Sequence, residues 1–148
     1  MNDIAENVQL LPHEIFEKCQ ELKTRDERLA LCKANDSFAV RTILQLAYNK
    51  KIKLDLPEGA PPFNEDKGPE GLQPVNINKA LKPLGQLSTF RKDIPKIKKE
   101  RIFIGILESL HPKDAEVLVM AKDKKFHKTY TKVTEAFVEK LMPELLRG

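Results

Sequence analysis

Five prolines and three glycines crowd the stretch from Pro57 to Pro74, and no helix or central strand can run through it. On either side, apolar residues recur at spacings of three and four, the period of one helix face. LPEGAPPFNEDKGPEGLQP is therefore a long connection between two helical blocks. A connection of this length inside a compact domain is either functional or a linker. Just before it, Ile52, Leu54 and Leu56 alternate with Lys53 and Asp55 in an extended pattern. Leu54, Leu56, Phe63 and Leu72 predict a strap pinned across the helices, and the two Pro-Glu-Gly triplets, at 57–59 and 69–71, read as turns.

The block before the strap predicts three short helices. Pro12 suits a first helical position, and Ile15, Phe16, Cys19 and Leu22 share a face over 13–22. Thr24 and Glu27 form a capping box for a helix to about Ala34. A third helix over 37–49 carries the wide stripe Phe38, Val40, Ile43, Leu44, Leu46 and Ala47, which predicts deep burial. After the strap, NKALKPLGQLSTF is short and broken. A helix then starts at Asp93–Pro95 and ends near Leu110; its second half, IFIGILESL, is apolar nearly all round and is expected in the middle of a core. Pro112 starts the next helix, and Thr131 or Thr134 caps a last one, EAFVEKLM, with Leu145 and Leu146 tucked back onto the body. The expected fold is mainly α: a compact helical bundle of about six helices with a long Pro/Gly-rich strap. It forms one domain over 1–148, with 12–49 as a three-helix part, 50–76 as the strap and 77–148 as the C-terminal helical part.

The 148 residues are enough to bury a core without disulfides or metal, and 41% apolar with 32% charged residues fits a globular chain. Tryptophan is absent, so the core is aliphatic with seven Phe. Cys19 and Cys32 are read as reduced thiols in helices. The opening MNDIAENVQL, a loosely held leader, is acidic where a secretory signal is basic and apolar, and no apolar run approaches the roughly 20 residues that cross a bilayer. A cytosolic protein with no membrane partner follows.

The net charge of +4 is unevenly spread. Arg91, Lys92, Lys96, Lys98, Lys99 and Arg101 outweigh Asp93 and Glu100, a net +4 over 91–101. Lys122, Lys124, Lys125, Lys128 and Lys132 outweigh Asp123, again a net +4, so the rest of the chain sums to −4. Lys and Arg bind phosphates, and Phe126 or Tyr130, interleaved with the second group, could stack a base. Arg91, Lys92, Lys96, Lys98, Lys99, Arg101, Lys124, Lys125, Lys128, Tyr130 and Lys132 are thus the candidate contacts to DNA or RNA, provided the two segments gather on one surface. The competing account makes the aromatics core anchors and the lysines a solvated face.

Catalytic patterns are missing. His13, His111 and His127 lack helical spacing to one another and Cys neighbours at ligand spacing, and no phosphate loop, dinucleotide fingerprint or nucleophile elbow occurs. His111 before Pro112 reads better as a helix cap than as a general base, and Asn35-Asp36-Ser37 better as a junction between helices than as a polar site. An enzyme would have to use His111, Asp114 and the Asn35–Ser37 group, and is the least favoured reading; no cofactor or metal is expected.

EIFEK at 14–18, KANDSFAVRTILQLAY at 33–48, LPEGAPPF at 56–63, PEGLQP at 69–74 and the long run from Phe103 to Leu146 resemble a family of small uncharacterised accessory proteins of large contractile-tailed bacteriophages. The resemblance implies an accessory protein made in the host cytoplasm, of a size that often binds host machinery or phage DNA, and it supplies no catalytic residues. The functional expectation is a non-enzymatic phage protein that binds nucleic acid through the two basic segments. The alternative is an adaptor that docks on a host or phage protein through the strap around Ala60 to Phe63.

Overall fold

Pro12 opens helix α1 (Pro12–Glu21), and Glu14 accepts the Leu11 N–H at 2.7 Å to close its first turn. It is the first element of a computed structural model that describes residues 10–63 and 76–147. Thr24 and Glu27 exchange hydrogen bonds of 3.2 Å and start α2 (Arg25–Ala34). Ser37 accepts the Val40 N–H at 3.2 Å and starts α3 (Phe38–Tyr48), while Asp36 takes the Arg41 guanidinium in a fork. Beyond the strap come α4 (Ile77–Ala80), a 3₁₀ turn (Lys82–Leu87), α5 (Lys96–Glu108), α6 (Pro112–Lys122), α7 (Phe126–Thr129), α8 (Glu135–Leu141) and a closing 3₁₀ turn (Pro143–Leu146). The six longer helices answer to the six expected from apolar spacing; α4 is the short, broken piece expected near Asn78, and α7 is an added single turn. Among the described residues the only sheet-like pairing is an isolated antiparallel bridge, Leu54 to Ser88.

Helices α3 and α6 form the centre. The α3 stripe Ala39, Val40, Ile43, Leu44, Leu46 and Ala47 is buried, and it packs on Ala115, Val117, Leu118 and Ala121 of α6. Burying one such aliphatic side chain is worth about 1.5–3 kcal/mol, so this pair carries much of the driving force. Helix α1 lies on α6, α2 lies on α1 and α8, and α5 lies on α6 and the first 3₁₀ turn. Phe38 is the exception in its stripe: it sits at the N-terminal edge of α3 and stays 47% exposed.

Helix α5 departs from its expected place in mid-core. It buries Phe103, Ile106, Leu107 and, unexpectedly, Lys99, whereas Ile102 and Ile104 are half-buried, Gly105 is exposed and Ile97 is 63% exposed. An all-apolar face needs neighbours on every side, and α5 has them on one only. His111 caps α6, its Nδ1 accepting the Lys113 N–H at 3.1 Å, and Thr134 rather than Thr131 caps α8, accepting from Phe137. Among the described residues no helix is long and apolar enough to cross a membrane. The leader as far as residue 9, Leu72 and the second Pro-Glu-Gly turn lie outside the described residues.

Candidate functional site

Lys53 and Asp55 tie the start of the strap to the body. The Asp55 N–H donates to the Leu87 carbonyl at 2.7 Å, and the Thr89 N–H donates to the Lys53 carbonyl at 3.1 Å. From α5, the buried Lys99 ammonium donates to Asp55 Oδ2 at 3.1 Å and to the Ser88 carbonyl at 3.0 Å, with Lys96 3.7 Å from Asp55 Oδ1. These cations, Lys99 foremost, hold the Asp55 carboxyl below the usual carboxylate range.

The run Lys122–Lys125, at the end of α6, grips the next stretch. Lys122 is buried with its ammonium 5.8 Å from the centre of the Phe103 ring, and it donates to the Pro57 carbonyl at 2.8 Å and to Asp123 Oδ1 at 2.6 Å. Asp123 Oδ2 accepts the Gly59 N–H at 2.9 Å. Gly59 has φ +86°, the left-handed region that glycine enters without penalty, so the first Pro-Glu-Gly turn can present that N–H. Lys125 pairs with Glu58. Lys124 turns the other way: its ammonium takes the carbonyls of Leu46, Asn49 and Ile52, closing the C-terminal end of α3, and burial followed by the nearby Lys53 lowers its pKa.

The two basic segments therefore do come together, along residues 52–59; Lys99, Lys122 and Lys124 turn inward there, whereas Lys96 and Lys125 reach the strap from exposed positions. Lys99, Lys124 and Lys125 are engaged with the strap or with α3. Arg91 forms a fork on Asp93 at 3.0 and 2.9 Å, and it holds that carboxyl down at about 2. Tyr130 is buried, its ring 5.0 Å from Phe126 and 5.6 Å from Phe16, so no face is open to stack a base. This corrects the roles expected for Lys99, Lys124 and Tyr130. Lys92, Lys98, Arg101, Lys128 and Lys132 are exposed and form no ion pair among the described residues.

Held in this way, Ala60–Phe63 forms a ridge between two apolar hollows. One, of about 260 Å³, lies between the strap and α5, against Leu56, Pro61, Glu100 and Phe103. The other, of about 290 Å³, lies over α6 and is lined by Ala60, Phe63, Ala115, Glu116, Val119 and Met120. The first hollow carries two carboxylates, Glu100 and the Lys125-paired Glu58, and the second carries Glu116.

A polar cluster that sequence spacing missed sits at the joint of α1 and α6. Asp114 Oδ1 accepts both the backbone N–H and the Nδ1–H of His13, each at 2.9 Å, and the His13 ring stacks on His111 with centres 4.7 Å apart. Asp114 Oδ2 is buried with no partner among the described residues. No hydroxyl or thiol among the described residues bonds His13, and no three His, Cys, Asp or Glu are grouped to hold a metal ion. The cluster joins two helix starts, where a carboxylate is favoured by both dipoles. The partners lie 101 residues apart, and no local pattern could have announced them.

Fold and site together define a mainly helical protein with a cation-fastened strap across one side. The chain belongs to a family of unknown function, DUF6433, whose profile matches residues 15–128. The match runs from α1 into α7 and contains the first half of the strap with all of its anchors. No curated protein and no solved structure matches the chain.

Proposed function

We propose that this protein is a non-enzymatic adaptor that docks on another protein through the ridge Ala60–Phe63 and the hollows beside it. The observation that carries the reading is the fastening of the strap: Lys99, Lys122, Asp123 and Lys125 hold residues 55–59 from beneath. A ridge fixed in advance loses little conformational freedom on binding. The hollows accept two apolar side chains, and Glu100 and Glu116 favour a partner segment that carries Lys or Arg beside them. The resemblance to phage accessory proteins supports a place in the host cytoplasm, with host or phage machinery as the partner.

The test is affinity purification from cells that make the protein, comparing wild type with Ala60→Glu and Met120→Glu, which put charge into the hollows. Both variants are expected to stay folded, as circular dichroism reads, and to lose the same partner protein, whose capture survives nuclease treatment. Retention of that partner by both variants would overturn the reading.

Nucleic-acid binding is the second reading. Lys98 and Arg101 favour it, because they are exposed three residues apart on α5 and share a face. It requires capture that nuclease abolishes, and a mobility shift that weakens steeply with salt and is lost in Lys98→Glu/Arg101→Glu.

A further inference from the structure

We propose that Cys19 and Cys32 form a redox-active dithiol that a small-molecule disulfide such as oxidised glutathione converts to an intramolecular disulfide joining α1 to α2. The sulfurs are 3.7 Å apart, in contact across the two helices, and both side chains are fully buried. A disulfide needs them at about 2.05 Å.

The two thiols are not equivalent. Arg28, on α2, donates through Nη1 to the Leu22 carbonyl at 2.8 Å, and its buried Nε–H has no acceptor among the described residues. A cation with an unused donor favours an anion nearby. The hydrogen bond from Cys32 and the charge of Arg28 lower the pKa of Cys19 against the effect of burial, while the bond to Cys19 and burial push Cys32 up. This asymmetry belongs to the closed state; once α2 opens, either thiol can attack.

Access comes from the weakness of α2. It buries only Leu29 and Cys32, and its remaining side chains are exposed or half-buried. A helix held by two side chains opens locally far more often than the whole chain unfolds. In the open state one of the two thiols gives its proton to solvent, and its thiolate attacks one sulfur of oxidised glutathione, forming a mixed disulfide and releasing one glutathione thiolate. The other cysteine then gives its proton to solvent, and its thiolate attacks the sulfur of the first, expelling the second glutathione. Two protein thiols are oxidised and one glutathione disulfide is reduced to two thiols.

The experiment incubates the full chain with oxidised glutathione under native conditions and follows intact mass and peptide maps. Wild type is expected to lose two hydrogens, retain no glutathione, yield a peptide pair linked through Cys19 and Cys32, and melt at a higher temperature than the reduced protein. Cys32→Ser and Cys19→Ser are each expected to retain one glutathione on the remaining cysteine, because no second thiol is present to expel it. Wild-type protein that keeps both thiols, or that accumulates stable glutathione adducts, would overturn the proposal. That result needs no variant, so a Ser substitution that impairs folding cannot obscure it.

Discussion

Asp55 and Lys99 are 44 residues apart in sequence, and their charged groups meet at 3.1 Å. A lysine buried on α5 is stable there because the strap brings it a carboxylate and Ser88 brings it a carbonyl. Lys99→Met keeps the apolar stem and removes the ammonium. It is expected to lower the free energy of unfolding by about 1–2 kcal/mol, since two half-buried acceptors lose their donor. Urea unfolding measures this directly.

The same pair sets a pH dependence. The folded-state pKa of Asp55 is depressed, so its contribution is complete above the ordinary carboxylate value of about 4 and is lost as pH falls through the folded-state value. Asp55→Asn removes a proton-linked group. It is expected to lower stability at neutral pH and to flatten the acid limb of the stability profile, as read by melting temperatures between pH 2 and pH 6.

Lys124 has φ +61°, a conformation that disfavours every residue with a Cβ, and its ammonium closes α3 from 78 residues away. Backbone penalty and capping gain therefore oppose each other at one position. Lys124→Ala keeps the penalty and loses the cap, with an expected loss of about 2 kcal/mol. Lys124→Gly loses the cap but relieves the backbone, and it should recover roughly 1 kcal/mol of that loss. Thermal unfolding of the two variants gives the order.

Tyr48 and Tyr130 are the chain's two tyrosines, and burial pushes each up to about 12, with Glu135 adding to the shift at Tyr48 and Glu17, Glu116 and Asp114 at Tyr130. A raised phenol pKa means that stability is complete below the unfolded value of about 10 and falls as pH rises toward 12. Spectrophotometric titration is expected to show no phenolate at pH 10.5 in the native protein and ordinary ionisation in denaturant. Phenolate appearing near pH 10 in the folded state would place at least one of the two rings at the surface.

Asp114→Ala is expected to cost about 3–5 kcal/mol, because it strands the buried His13 ring and N–H and leaves the paired starts of α1 and α6 without their anion. Asp114→Asn keeps the acceptor oxygen and should cost less. Denaturant titration of both variants separates the charge from the hydrogen bond.

The helices and their caps were legible residue by residue. Pro12, the Thr24–Glu27 box, Ser37, His111 and Thr134 act on backbone groups within three residues, so the chain announces them wherever it folds. The strap was legible from its prolines, and Leu54, Leu56 and Phe63 do pack against the core. The inward use of the lysines was not. Lys92 and Lys99 are alike as letters, yet one is solvated and the other buried, and no local spacing distinguishes them.

Short-range chemistry thus settled where helices start and stop and that residues near 57–63 cannot be helical. Only the folded arrangement decided which charges face water. A lysine has a long apolar stem and is buried only when an acceptor arrives from elsewhere in the chain; here Asp55, Pro57 and the end of α3 supply those acceptors from 44 to 78 residues away. Two stretches that read as a binding surface for polyanions therefore lend four lysines, Lys96, Lys99, Lys122 and Lys125, to the fastening of a strap.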